Sequence, residues 1–320
     1  MMDKLLNFKG QGLTEFPDQL LQNRQITNLN LENNQISKIP EWIKELTDLK
    51  VLYLTGNAIN DIHHLTALPS LEVLHLNNNC ITHIPDDVTN WTYLKRLFVN
   101  GNLLDKLPGS LGQLQELKIL LAAENNIENI SEDFFSLPNL ETLNLFHNRL
   151  THISENLYQL KRLNYLQLSV NQIEELPQGI GQNLNIATLS AFSNKLRHIP
   201  PQLVKLLGLE NLNLGDNKIA RIEYVPDSIR QLSIYANPVE FIDRRLLDNF
   251  RDPSRRNYEY IYVDSQQADA LQLQRSNLGN QLKIVDISSG KIHWTNYKNM
   301  PQELIKKWEL ERSHDENTIK

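Results

Sequence analysis

The sequence predicts an α/β solenoid: a curved horseshoe with one parallel sheet on its concave face and short helical or irregular segments on its convex side. Two observations predict it. Asparagine recurs at Asn34, Asn57, Asn79, Asn102, Asn125, Asn148, Asn171, Asn194, Asn217 and Asn237, at intervals of 23, 22, six times 23 and finally 20 residues. Around each asparagine the apolar residues follow L-x-x-L-x-L-x-x-N-x-L, as in Leu49, Leu52, Leu54, Asn57 and Ile59, or Leu140, Leu143, Leu145, Asn148 and Leu150. A fixed period of this length marks stacked units, each burying its apolar face against the next.

Every part of the frame has a physical reason. The x-L-x-L-x stretch alternates as a half-buried strand does, and stacking sets such strands ~4.8 Å apart in a parallel sheet. Ten or eleven strands are expected, spanning roughly 50 Å. The asparagine falls where the chain leaves the strand, and its amide offers donors and an acceptor to two neighbouring turns. The second half of many units carries an Ile-Pro or Leu-Pro pair, as at Ile39-Pro40, Ile84-Pro85, Leu107-Pro108, Leu176-Pro177 and Ile199-Pro200. Proline fixes φ and donates to no ladder, which suits a convex return that opens a short helical turn.

The frame is that of the leucine-rich repeat, in its intracellular 23-residue form. It resembles the repeats of Ras-pathway scaffolds and, equally, those of leucine-rich-repeat effectors that intracellular bacterial pathogens inject into host cells. The resemblance covers residues 1 to about 240. It implies the solenoid fold and a protein-binding rather than enzymatic role, and it leaves the partner open.

Three regions follow. Residues 1–24 form a degenerate capping repeat, because Leu6, Phe8, Gln11 and Leu13 lie 23 residues before Leu29, Leu31, Asn34 and Ile36, with Asp3 where a leucine is expected. Residues 25–240 hold ten repeats, and 241–320 form a C-terminal capping region. There, helix is expected near 243–250 and a strand over 258–263. After an insertion of about forty residues, Leu282, Val285, Ile287, Gly290 and Ile292 fit the frame as one cryptic repeat, and 301–312 reads as an amphipathic helix.

Bulk properties narrow the function. A net charge of −6 and a pI near 5.9 argue against a nucleic-acid binder, which needs a dense basic surface. Cys80 is the single cysteine, so no intramolecular disulfide forms. The N-terminus lacks the apolar stretch of a secretory signal, and no run approaches the ~18 apolar residues of a membrane span. These features predict a cytoplasmic protein, or one in the host cytosol if it is a translocated effector; the acidic residues Glu309, Glu311, Asp315 and Glu316 are similar to a type IV translocation tail.

No catalytic constellation is present, and no cofactor is implied. Gly10-x-Gly12 and Gly179-x-Gly181 lack the third glycine of a nucleotide loop and read as turns. Cys80 has no activating neighbour in the sequence and reads as structural. Of the histidines, His63, His64, His75 and His83 invite a metal site. His83, His152 and His198 share a convex position in units at least two steps apart, too far to share an ion, while His75 lies on the opposite face. Arg244, Arg245, Arg251, Arg255 and Arg256 suit a phosphate or an acidic partner, and read rather as a solvated capping surface.

The positions with functional promise are the outward ones of the sheet. Asn28, Asn30, Asn211 and Asn213 are polar there, as solvent demands, whereas Tyr53, His75, Phe98, Leu121, Phe146, Tyr165, Phe192 and Tyr235 form a band of apolar groups. An exposed band of this kind predicts a protein-binding site. Its alternative is mutual packing along the sheet. The expected function is a monomeric scaffold that engages a partner protein on the concave face, either as a bacterial effector or as a cytosolic regulatory subunit for a phosphatase or small GTPase.

Overall fold

The computed structural model describes residues 5–251, 260–270 and 282–285. Thirteen short strands form one parallel sheet in strict chain order. They are β1 (Leu5–Asn7), β2 (Asn28–Asn30), β3 (Val51–Tyr53), β4 (Val73–His75), β5 (Arg96–Phe98), β6 (Ile119–Leu121) and β7 (Thr142–Asn144). The series continues with β8 (Tyr165–Gln167), β9 (Thr188–Ser190), β10 (Asn211–Asn213), β11 (Gln231–Ser233), β12 (Tyr260–Asp264) and β13 (Leu282–Val285). The sheet outruns the expected ten or eleven strands because the N-terminal cap pairs as β1, while β12 and β13 extend it at the other end.

The register carries the repeat into three dimensions. Leu29, Leu52, Leu74, Leu97, Leu120 and Leu143 stand side by side in consecutive strands, all buried. One continuous apolar core therefore runs from Phe8 to Val263. Convex returns are short 3-10 turns, and Pro17, Pro40, Pro108, Pro177 and Pro200 each stand immediately before one, supplying the extended entry the turn needs.

The asparagines form a ladder on one side of the sheet. Asn102 donates from Nδ2 to the carbonyls of Leu76 in the preceding repeat (2.9 Å) and Val99 in its own (3.0 Å), and its Oδ1 accepts from the Ile81 amide (3.0 Å). The same pattern holds from Asn34 to Asn237. One residue before each asparagine the chain turns left-handed. Glycine or asparagine fills that position at Gly56, Asn78 and Gly101, but Glu124, His147, Val170, Ser193, Asp216 and Ala236 hold it in later repeats. Val170, at φ 58°, is β-branched and pays the steric penalty of that region.

The C-terminal region differs in detail from the sequence expectation. Helix α1 spans Arg244–Arg251 and α2 spans Ser265–Ala270. Gln267 takes over the work of a ladder asparagine: its Nε2 donates to the carbonyls of Ile234 (2.9 Å) and Asn237 (2.8 Å). In β13 the register sets Leu282 opposite Ile261 and Ile284 opposite Val263. The frame had put Val285 and Ile287 in those columns, three residues later. Leu282-Lys283-Ile284 alternates as well as Val285-Asp286-Ile287 does, so the period alone did not choose between them. Asp3, Arg255, Arg256, the remainder of the cryptic repeat and 301–312 lie outside the described residues.

Candidate functional site

The outward face of the sheet is organised in columns, one residue per repeat. The first column precedes the central leucine of each strand: Val51, Val73, Arg96, Ile119, Thr142 and Tyr165. The middle column follows that leucine, with Tyr53, His75, Phe98, Leu121, Asn144 and Gln167. A rim column comes after the third apolar residue, where the strand has ended. Phe146, Phe192 and Tyr235 belong to this rim, with Asn77 and Asn100 upstream. The eight residues singled out in the sequence are thus split: Tyr53, His75, Phe98 and Leu121 share the middle column, Tyr165 stands in the first, and three lie on the rim.

The expected exposure of this band is corrected by the structure. Phe98 is 5% exposed and Phe192 0%, and Leu121, Phe146, Tyr165 and Tyr235 are buried as well; only Tyr53 and His75 remain partly open. Strand spacing explains it, since side chains in one column stand close enough to cover each other. The ring centroids of Tyr53 and His75 lie 4.7 Å apart and those of His75 and Phe98 4.3 Å apart, both pairs stacked. Phe98, Ile119 and Leu121, with Val73 against them, make a small apolar cluster separate from the main core. Phe192 and Tyr235 meet at 5.9 Å across Gly215, where a β-carbon would stand 3.1–3.2 Å from both rings.

The middle column changes character between β6 and β7. Tyr53, His75, Phe98 and Leu121 give way to Asn144, Gln167, Ser190, Asn213 and Ser233. The amides of the second group serve the backbone: Asn144 Oδ1 accepts from the Phe146 amide (2.9 Å), Gln167 Oε1 from Ser169 (2.9 Å) and Asn213 Oδ1 from Gly215 (3.1 Å). After β5 and β6 that duty moves to the rim, as it does once in the polar half, where Ser169 Oγ accepts from the Phe192 amide (3.1 Å). Asn77 Oδ1 accepts from the Asn100 amide (2.8 Å) and Asn100 Oδ1 from Ala123 (2.7 Å). At Phe98 and Leu121 the middle column is thereby released to side chains that the turn does not require.

A leading row of charges, just before the strands, borders the sheet. Glu72 is shared by Lys95 (2.6 Å) and Lys50 (3.3 Å), and Lys118 faces Glu141 at 3.9 Å. Partial burial pushes the Glu72 carboxyl up, but the two lysines outweigh it and hold it below the ordinary carboxylate range. Sequence reasoning missed this row, although opposite charges spaced 22 and 23 residues apart were its signal. Burial pushes the Tyr165 hydroxyl up to about 12, with a hydrogen bond to Gln167 acting the other way.

Other candidates resolve more simply. Cys80 is exposed. Among the described residues no group of three His, Cys, Asp or Glu side chains could hold a metal ion, and no helix is long and apolar enough to cross a membrane. Arg245 pairs with Asp243 and Arg244 faces Asp248, with the arginine side chains 84% and 89% exposed, as a solvated surface would have them.

A family model described as leucine rich repeat matches residues 24–81, 69–127 and 115–173. A comparison with curated proteins returns no match. Among solved structures, a Leptospira interrogans leucine-rich-repeat protein is similar at 26% identity and TM-score 0.57, covering 79% of this chain and 75% of its own. An internalin from Listeria monocytogenes aligns at 23% identity and TM-score 0.71, over 89% and 82% of the two chains. The leucine-rich-repeat ectodomain of an Arabidopsis thaliana receptor kinase, in complex with Casparian strip integrity factor 2, aligns at 22% identity and TM-score 0.65, over 88% of this chain and 41% of that one. The last two likenesses speak to fold alone. The asparagine ladder, the parallel sheet and the family match together identify this chain as a leucine-rich-repeat protein.

Proposed function

We propose that the chain is a non-enzymatic scaffold that binds another protein on its concave face, centred on β3–β6. One observation carries the reading: Tyr53, His75, Phe98 and Leu121 fill the middle column of β3–β6, and at Phe98 and Leu121 the backbone cap comes from the rim of the preceding repeat instead. Burial of Phe98 and Leu121 makes them the floor of the surface, while Val51, Tyr53, Val73 and His75 are its reachable part. Phe146, Phe192, Tyr165 and Tyr235 then serve chiefly as packing. Complexes of similar solenoids with protein ligands, such as the Arabidopsis ectodomain above, support the reading.

The partner is read as a host protein and the chain as a bacterial effector, on the strength of the Leptospira similarity and the acidic tail. A cytosolic scaffold for a phosphatase or small GTPase of the same cell is the other reading, favoured by the single cysteine alone. The test is affinity capture from host lysate and from source-organism lysate, each with the native chain and with Val73→Asp. A specific host protein lost on Val73→Asp, at unchanged melting temperature, is expected. A partner held equally by both forms sinks the concave-face reading, and one captured solely from the source organism sinks the host reading.

A further inference from the structure

The border of the apolar half is basic, on a chain whose net charge is −6. Beside β3–β6 stand Lys50, Lys95, Arg96 and Lys118, with Glu72 as the acid among them. Glu72 is shared by two lysines, so that trio keeps a net positive charge. Lys118 reaches Glu141, one strand farther on, only at 3.9 Å. Along the opposite rim of the same stretch Thr55, Asn77, Asn100 and Ala123 are uncharged, and Glu124 follows at the left-handed position after β6. The polar half reverses the balance: its leading row holds Glu141, Asn164, Ala187, Glu210 and Arg230, and its far side holds Asp216 and Asp264. Basic border and apolar floor coincide over the same four strands and nowhere else among the described residues.

From this coincidence we infer that the segment docking on β3–β6 is a short extended peptide stretch that carries both apolar and acidic side chains. The inference rests on the concave-face reading and adds the chemistry of the partner to it. The apolar groups lie over Val51, Val73 and the Tyr53–His75 stack, while the carboxylates face the lysine row and Arg96. Four strands at ~4.8 Å measure about 14–19 Å, which about five or six extended residues span. Charge placed at the border rather than the floor contributes mainly to capture and to rejection of basic competitors. It also makes the contact sensitive to salt.

The probe is a random twelve-residue peptide library displayed on phage, panned on the full chain. Enriched sequences are then synthesised and measured against the native chain, Arg96→Glu and Val73→Asp, with melting temperatures as the folding control. The expected consensus is apolar and acidic. Its affinity should fall about ten-fold on Arg96→Glu, and weaken similarly when salt rises from about 0.05 to 0.5 M. Enriched peptides that are basic or neutral, yet lost on Val73→Asp, overturn the acidic chemistry and leave the concave-face reading standing. Peptides indifferent to Val73→Asp, or no enrichment at all, overturn both.

Discussion

The two halves of the concave sheet share one backbone and solve the same problem by different means. In β7–β11 the middle column is amide and hydroxyl, and Asn144, Gln167 and Asn213 each cap the amide two residues on. In β5 and β6 the caps come from the rim of the preceding repeat, as one also does at Phe192 in the polar half, and rings and aliphatic groups occupy the middle column of β3–β6. Turn satisfaction is compulsory, since an unpaired buried amide costs about 1–3 kcal/mol. Its location is not, and that freedom lets one stretch of a middle column carry rings and aliphatic groups without losing the turn geometry next door.

The largest expected effect compares Phe98→Ala with Gln167→Ala. Phe98 touches His75, Ile119 and Leu121, so its truncation should cost about 3 kcal/mol, as for a well-packed phenylalanine. Gln167→Ala should cost about 1–2 kcal/mol, by leaving the Ser169 amide without its cap. Urea titration of both variants decides the matter, and equal costs would show that the halves differ in name only.

Next comes alkaline pH. Tyr165, in the polar half, keeps its proton up to about 12 when folded against 10.0 for the free group. Its contribution is intact below pH 10 and is lost as pH climbs from 10 towards 12, amounting to about 2–3 kcal/mol. A melting-temperature series over that window should slope less steeply in Tyr165→Phe than in the native chain. Identical slopes would remove Tyr165 as the cause.

Two smaller effects run in the stabilising direction, both in the C-terminal half. Asn183 stands at a core-leucine position; it donates to the Leu157 and Leu160 carbonyls, but its buried Oδ1 has no hydrogen-bond partner. Those carbonyls also accept from the Leu160 and Leu163 amides, so Asn183→Leu should gain about 1 kcal/mol, read as a higher urea midpoint. Val170→Asn relieves the left-handed strain and should add about 0.5–1 kcal/mol, with Asn78→Val in the apolar half losing a similar amount. A neutral pair would mean that the turn tolerates a β-branched residue without cost.

Much of this was legible in the sequence, for physical reasons that also set the limit. The asparagine interval fixed the ladder, and alternation placed every central leucine inside. Alternation ends at the third leucine, though, and the next two residues leave the strand through a left-handed turn. That is why Phe146, Phe192 and Tyr235 read as strand residues and proved to be rim. Burial of the band lay in the distance between equivalent residues of adjacent repeats, which appears only when the columns are read across repeats rather than along the chain. Gln267 carried no signal at all: it is one residue out of frame, yet its longer side chain donates to the Ile234 carbonyl, the kind of partner a ladder asparagine takes, and to that of Asn237.

The ladder also has a direction. Asn125 bonds back to the Val99 carbonyl and the Leu104 amide, Asn148 to those of Ala122 and Ile127, and so on to Asn237, which takes Leu214 and Ile219. Every cross-repeat partner of a ladder asparagine's side-chain amide has a lower residue number than the asparagine itself. On the ribosome, which delivers a chain from its N-terminus, each amide emerges after the turn it clasps has already left the exit tunnel. No rung waits for a residue not yet made, so the horseshoe can be latched one coil at a time as it is synthesised.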